Sequence, residues 1–204
     1  MGFLSATLSM SRYHILDTFD TEPMEQVRNG LIQHAIPKTE NEYEEISAGW
    51  TPFESPYLPD FDQFSFIFGS YFLFSLRIDK KSIPAKLVHK QMAIEIEKKK
   101  ADSGRDFISK NEKSEIKETI MDVLMHKMPS IPNVYDVLWD YEAKTLFLLT
   151  TQKAANEFFE TLFFKSFHLK PVRLFPYTLV ETKSAFSSTQ KDRILTLTPL
   201  HFSR

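Results

Sequence analysis

Residues 64–78 read FSFIFGSYFLFSLRI, and this stretch decides the class of fold. Residues 64–68 and 71–78 are rich in aromatic and branched side chains, which favour strands. Gly69-Ser70 between them has the composition of a tight two-residue turn. The stretch therefore predicts two antiparallel strands joined as a hairpin.

Three elements are predicted on the N-terminal side of this hairpin. Residues 4–16 alternate loosely between apolar and polar side chains, which indicates a strand. A helix is predicted to begin near Pro23, with Asp20 or Thr21 as its cap, and to end before the next proline. Residues 41–62 contain several prolines and acids and are interpreted as a loop.

Two helices are predicted on the C-terminal side of residues 64–78. The first covers residues 84–100. The second begins at Ser109, because Ser109 and Glu112 have the spacing of a capping box, in which each side chain bonds to the backbone N–H of the other residue. A turn at Gly104 joins the two helices, so the chain is expected to form a helical hairpin at about residues 84–128.

Four more elements are predicted towards the C-terminus. Residues 134–139 and 145–150 have strand composition. Thr151 is expected to cap a helix over residues 152–167, because apolar side chains recur there at helical spacing. A short strand over residues 171–175 follows the helix.

The last residues of the chain are interpreted separately. Residues 183–190 are rich in Ser and Thr, which indicates a mobile tail, and residues 194–200 have the composition of an edge strand. The mixed order of strands and helices predicts an α+β fold, with an antiparallel sheet, packed helices and a protruding helical hairpin. One domain is expected over residues 1–180, and a tail or edge strand over residues 181–204.

The composition limits the kinds of protein that this chain can be. It contains no cysteine, which excludes disulfides, thiolate zinc sites and a cysteine nucleophile. Its longest apolar stretches are interrupted by Ser and Gly and are too short to cross a membrane. The N-terminus lacks the basic segment of a signal peptide, so a cytoplasmic location is expected.

Positive charge is concentrated in the predicted helical hairpin. The 204-residue chain has a formal net charge of −2, but residues 77–127 hold 13 Lys and Arg against 9 Asp and Glu. Lys110, Lys113 and Lys117 share one helix face, and such a face suits the phosphates of DNA without reading base sequence. The residues expected to bind DNA are Lys80, Lys81, Lys98, Lys99, Lys100, Arg105, Lys110, Lys113, Lys117 and Lys127.

Two other interpretations of the charged helices remain open. A helix rich in Lys and Glu is most often a solvated face with no ligand. The helical hairpin can also be a module that grips a partner protein. No cofactor is expected, because the chain lacks a P-loop, a dinucleotide-binding glycine motif and a His-Glu-x-x-His zinc motif.

A metal-dependent nuclease is the alternative that involves catalysis. Nucleases hold magnesium with clustered carboxylates, and the closest groups are Asp60 with Asp62 and Asp17 with Asp20. Both pairs lie in predicted loops, where acids commonly cap turns. His126 near the end of the helical hairpin is interpreted as a surface histidine. The chain is therefore expected to bind DNA without being an enzyme.

The phenylalanines of the last long helix have an ordinary explanation. Phe158, Phe159, Phe163, Phe164 and Phe167 can be read as a base-stacking platform, but their helical spacing indicates a core. Phe164 lies outside the apolar stripe and is the strongest candidate for a subunit interface. Ile131 and Tyr135, which follow the helical hairpin, are weaker candidates for contact with a DNA groove.

Several runs of the chain together resemble the RdgC family of recombination-associated proteins. They are Gly49-Trp50-Thr51-Pro52, the run from Leu76 to Pro84, the lysine-rich run from Lys110 to Leu124, Val137-Leu138-Trp139-Asp140 and Pro171-Val172-Arg173-Leu174. Their order and spacing carry the resemblance, which extends over about residues 4–176.

The resemblance implies a protein that binds double-stranded DNA with little sequence preference. Family members close into a ring-shaped dimer with a positive hole and restrain recombinase-driven strand exchange. It further implies a location at the nucleoid and a DNA-binding role for Arg105 and the lysines at 110, 113 and 117. Typical members continue well beyond the residue that aligns with Pro176, so ring closure by the same two interfaces is not implied for this sequence.

Overall fold

The computed structural model describes residues 3, 5–19, 22–37, 44–182 and 187–196. None of the helices in these residues is both long and apolar enough to cross a membrane. Along the described residues the elements are β1 (Ser11–Ile15), α1 (Pro23–Gln33), β2 (Ile46–Pro52), β3 (Ile67–Phe68), β4 (Tyr71–Lys81), α2 (Ala85–Ser103), α3 (Lys110–Lys127), β5 (Ser130–Asp140), β6 (Thr145–Leu148), α4 (Lys153–Phe167), β7 (Pro171–Arg173), α5 (Pro176–Thr182) and α6 (Ser188–Leu195).

The strands form one seven-stranded antiparallel sheet. Its order is β2-β4-β5-β6-β1-β7, and β3 pairs with β4. Leu148 of β6 lies opposite Ser11 of β1 on one side and opposite Val137 of β5 on the other. The predicted α+β class with an antiparallel sheet and packed helices is confirmed.

The chain divides into two compact units. The first, called here the aromatic unit, comprises residues 1–35, 49–76 and 134–204. The second, called here the hairpin unit, comprises residues 36–48 and 77–133 and contains α2 and α3.

Aromatic side chains fill the core of the aromatic unit. Phe159, Phe163 and Phe167 recur every fourth residue along α4, so they lie on one face, and all three are buried. The ring of Phe163 lies 5.1 Å from that of Trp139, and the ring of Phe159 lies 5.1 Å from that of Tyr13. Offset and edge-to-face pairs at such distances stabilise a core beyond simple burial.

A glycine allows α1 and α4 to pack closely. A Cβ atom added to Gly30 would lie 2.6 Å from both the carbonyl oxygen of Ser166 and the ring of Phe167. Beside this contact, the indole N–H of Trp50 donates to the Ser166 hydroxyl at 2.7 Å. The burial of Trp50 thus leaves its polar nitrogen satisfied.

In the hairpin unit, well-defined signals end α2 and start α3. Gly104 follows α2 with φ of 63°, the left-handed conformation that commonly ends a helix. Ser109 and Glu112 form the predicted capping box at the start of α3. Few side chains of the two helices are buried: Val88 in α2 and Ile120 in α3.

The strand predictions were only partly correct. β2 (Ile46–Pro52) lies inside the stretch interpreted as a loop, because Trp50 is a buried core residue and Pro52 stands at the strand end, where no ladder N–H is required. β1 covers five residues and β3 only two, so both are shorter than predicted. Tertiary pairing, rather than composition, sets these strand ends.

The cap and tail predictions also need correction. Gln152, not Thr151, is the N-cap of α4. The backbone N–H of Gln152 donates to the Thr150 hydroxyl. A helix, α6, forms where a Ser/Thr-rich tail was predicted, and Ser187 and Gln190 bond reciprocally at its start. The predicted cap residues 20 and 21 and residues 197–200 of the predicted edge strand lie outside the described residues.

Candidate nucleic-acid interface

The turn between α2 and α3 is organised by Glu112. One carboxylate oxygen accepts the backbone N–H of Ser109 at 2.9 Å, and the Ser109 hydroxyl accepts the backbone N–H of Glu112 at 3.3 Å. The other oxygen faces Lys99 at 3.8 Å and Arg105 at 3.9 Å. The bond from the Ser109 backbone is the main cause that holds the pKa of Glu112 below its ordinary value.

Three lysines on α3 form what is called here the lysine stripe: Lys110, Lys113 and Lys117. All three are exposed, and none has an ion-pair partner within the described part of the chain. Their spacing places them on one helix face. The lysine stripe therefore carries positive charge that no acid of the described residues pairs with.

The lysines at the end of α2 are in a different state. Lys98 lies 2.8 Å from Glu95, Lys100 lies 3.4 Å from Glu97, and Lys99 faces Glu112. The hydrogen bond with Glu95 raises the pKa of Lys98. Exposed ion pairs of this kind add little stability, but each one partly cancels the field of its lysine.

Lys80 and Lys81 lie on opposite faces of the sheet. They are consecutive in β4, so their side chains point to opposite faces of the sheet. Lys80 is exposed, whereas Lys81 is only 4% exposed. The low exposure of Lys81 makes it a weaker candidate than Lys80, and its contact with DNA stays a prediction.

Lys127 is not part of the lysine stripe. It lines a groove between α2 and α3. This groove has a volume of about 570 Å³, and its floor includes Ile116, Ile120 and Leu124. Its rim carries both signs of charge, with Glu95 and Glu115 among the acids. A rim of mixed charge is a poor match for a polyanion, so we leave the groove outside the candidate interface.

The carboxylates considered for a metal site have structural partners. Asp62 pairs with Arg28 at 2.6 Å, and Asp60 accepts the backbone N–H of Asp62 at 3.0 Å. No group of three or more potential metal ligands occurs among the described residues. Asp17 lies in the described chain, but its predicted partner at position 20 does not.

Two of the remaining candidates have polar contacts, and the other two are exposed. The Nδ1 atom of His126 is 2.7 Å from the carbonyl oxygen of Asp122 in the preceding helical turn. Tyr135 donates to the side chain of Gln152 at 2.8 Å, and burial raises its pKa. Ile131 is exposed, and Phe164 is 54% exposed with its ring beside that of His168.

One exposed residue near the lysine stripe was missed in the sequence. Phe107 is 74% exposed in the turn between α2 and α3. The signal was an aromatic residue inside a polar turn, but the sequence does not show whether such a side chain folds back or points outward. Its neighbour Ile108 is 8% exposed and does fold inward.

Comparison with known families supports the resemblance noted in the sequence. A family model described as "Putative exonuclease, RdgC" matches residues 9–188 of the 204. No curated protein matches the chain. The matched family is recombination-associated and DNA-related. Since the match covers most of the sequence, the chain belongs to the RdgC family.

Proposed function

We propose that this chain binds double-stranded DNA without sequence preference, through the lysine stripe on α3. One observation carries the proposal: three exposed ammonium groups lie on one helix face, without an ion-pair partner within the described residues. Cations in this state can neutralise phosphates and release the counterions that surround DNA. Membership of a DNA-related family supports the same ligand.

The dimensions of the stripe suit a phosphate backbone. Lys110 and Lys117 are seven residues apart, which is about 10 Å along a helix that rises about 1.5 Å per residue. Each strand of B-DNA carries one phosphate per roughly 3.4 Å of helix axis. With α3 parallel to the duplex axis, the three lysines would span the axial rise of about three phosphates of one strand.

The ion pairs of α2 predict which cations matter. Lys98, Lys99 and Lys100 already face acids, so their transfer to phosphate exchanges one ion pair for another. The lysine stripe makes no such exchange. Binding should therefore depend on the stripe more than on the total charge of the hairpin unit.

We further propose that binding restricts the access of a recombinase to duplex DNA and that the protein is found at the nucleoid. A protein bound along the phosphates occupies the surface that a recombinase needs. In this proposal the protein acts by binding rather than by catalysis, and it assembles as a dimer. Phe164, exposed on α4, is our candidate for the subunit contact.

Removal of the stripe tests the proposal. The double variant Lys113→Ala/Lys117→Ala should bind a duplex of mixed sequence more weakly, and the slope of log K against log salt should fall by about 2. Fluorescence anisotropy at several salt concentrations measures both quantities. Light scattering on the same samples reports the oligomeric state.

A matched control separates the stripe from net charge. Lys98→Ala/Lys100→Ala removes the same formal charge from the same unit, but from lysines that face acids. It should change the salt slope by less than half as much as the stripe variant. Equal slopes for the two double variants would contradict a special role for the stripe.

The description of the matched family also names an exonuclease, and this second function has a direct test. Linear duplex is incubated with an excess of protein and Mg²⁺ or Mn²⁺. We expect intact DNA. Degradation that disappears in Asp62→Asn would support the nuclease over the binding protein.

A further inference from the structure

We infer that Phe107 is a base-stacking residue, which inserts its ring at weakly stacked positions of a duplex held by the lysine stripe. The inference rests on the proposed DNA binding and adds a preference among DNA structures. The proposed ligand of the ring is a nucleobase that is exposed where stacking in the duplex is weak.

The exposure of Phe107 is the starting observation. At 74% it exceeds that of every other exposed large apolar side chain in the described residues, the next being Tyr57 and Leu58 at 63%. An aromatic ring in water forgoes the free energy that burial would provide. A ring kept in that position is suited to a ligand that covers it.

The turn that carries Phe107 is fixed on both sides. Gly104, with its positive φ, ends α2, and the capping box of Ser109 and Glu112 starts α3. Ile108, the next residue, is buried. Phe107 is thus exposed within an organised turn, and the backbone that carries it would need little ordering on binding.

The charges next to Phe107 favour a nucleic acid as the ligand. The lysine stripe begins at Lys110, three residues after it, and Arg105, which also faces Glu112 at 3.9 Å, lies two residues before it. Asp106 opposes them with one negative charge. An aromatic ring between cations matches a ligand that combines phosphates with planar bases.

The energetics of unstacking decide which duplexes should be preferred. Apolar side chains that enter DNA separate neighbouring base pairs, which costs free energy. This cost is lowest at mismatches and at pyrimidine–purine steps. We therefore expect tighter binding to a duplex with a central mismatch than to the matched duplex.

The test uses a duplex with 2-aminopurine beside a central mismatch, together with its matched counterpart. Wild-type protein should increase the 2-aminopurine emission of the mismatched duplex and prefer that duplex by about fivefold or more. Phe107→Ala should lose both effects and keep the salt slope of wild type. Phe107→Trp should retain the preference, because its larger ring still stacks.

Controls separate stacking from other roles of the ring. Phe68→Ala removes another exposed phenylalanine, outside the hairpin unit, and should behave as wild type in the emission assay. Unchanged emission and mismatch preference in Phe107→Ala would overturn the inference. So would a change in the molecular mass of this variant, measured by light scattering without DNA, because the ring would then contact a second copy of the chain.

The two proposals can fail separately. If Phe107→Ala matches wild type while the stripe variant loses salt slope, base stacking is wrong and DNA binding stands. If wild-type protein binds no duplex at low salt, both proposals fall.

Discussion

The aromatic unit and the hairpin unit use their residues in opposite ways. Among the described residues, the twelve largest side chains with almost no solvent exposure all belong to the aromatic unit, and they include Trp50, Trp139 and Phe163. In the helices of the hairpin unit, the buried side chains are Val88 and Ile120, each still 8% exposed. The apolar residues of the aromatic unit form a core, whereas the helices of the hairpin unit carry charged residues at their surface.

This difference shows where binding can be added without disturbing the fold. A cation buried in the aromatic core would need a partner, because an unpaired buried charge is costly. On α3 the lysines remain in water and cost the fold little. For α2 and α3 we therefore expect the helix caps and the few apolar contacts between the two helices to contribute much of the stability, and this expectation can be tested.

The largest expected effect is a cavity in the aromatic unit. Phe163→Ala should lower the free energy of unfolding by about 3–5 kcal/mol, because the ring is fully buried among other rings. Ile120→Ala in α3 should cost about 2 kcal/mol, at the lower end for apolar truncations. Urea denaturation followed by circular dichroism measures both, and equal costs would remove the proposed contrast.

A smaller effect is expected at the start of α3. Ser109→Ala removes the hydroxyl that accepts the Glu112 backbone N–H, and such a loss costs about 1 kcal/mol. Ser109→Asp keeps an acceptor at the cap and serves as the control. A cost below the error of the measurement for Ser109→Ala would mean that other contacts hold the turn.

The smallest effect is a pH dependence that originates at Glu112. The pKa of this carboxyl is lowered from its ordinary value of 4.5, chiefly by the bond from the Ser109 backbone. Its charge therefore stabilises the fold fully above pH 4.5, and that contribution is lost as the pH falls through the lowered pKa.

The variant Glu112→Gln isolates this contribution from the other carboxyls. It should be less stable than wild type at pH 7, and the difference should shrink as the pH drops below 4.5. Thermal melts at several pH values provide the comparison. A constant difference across this range would show that the charge of Glu112 plays no part.

Much of the fold could be predicted because its signals are local. The capping box at Ser109, the glycine after α2 and the four-residue spacing of the α4 phenylalanines depend only on neighbouring residues. β2 was missed because Gly49 and Pro52 look like turn residues. Its strand is defined by the burial of Trp50, which involves residues far away in the chain.

The candidate site was predicted less completely, for a similar reason. The lysine stripe follows from helix geometry alone and is present as expected. The burial of Lys81 and the approach of Lys99 to Glu112 depend on how separate elements pack. The outward position of Phe107 depends on which of two consecutive side chains is buried, and in the structure it is Ile108.

Because of where the two tryptophans lie, fluorescence and circular dichroism report on different parts of the molecule. Trp50 and Trp139 are both buried in the aromatic unit, and residues 77–133 contain none. The indole N–H of Trp50 has a serine acceptor, whereas that of Trp139 has no hydrogen-bond partner among the described residues. Intrinsic indole fluorescence therefore reports on the aromatic unit, whereas melting of α2 and α3 can be followed by the loss of helical ellipticity.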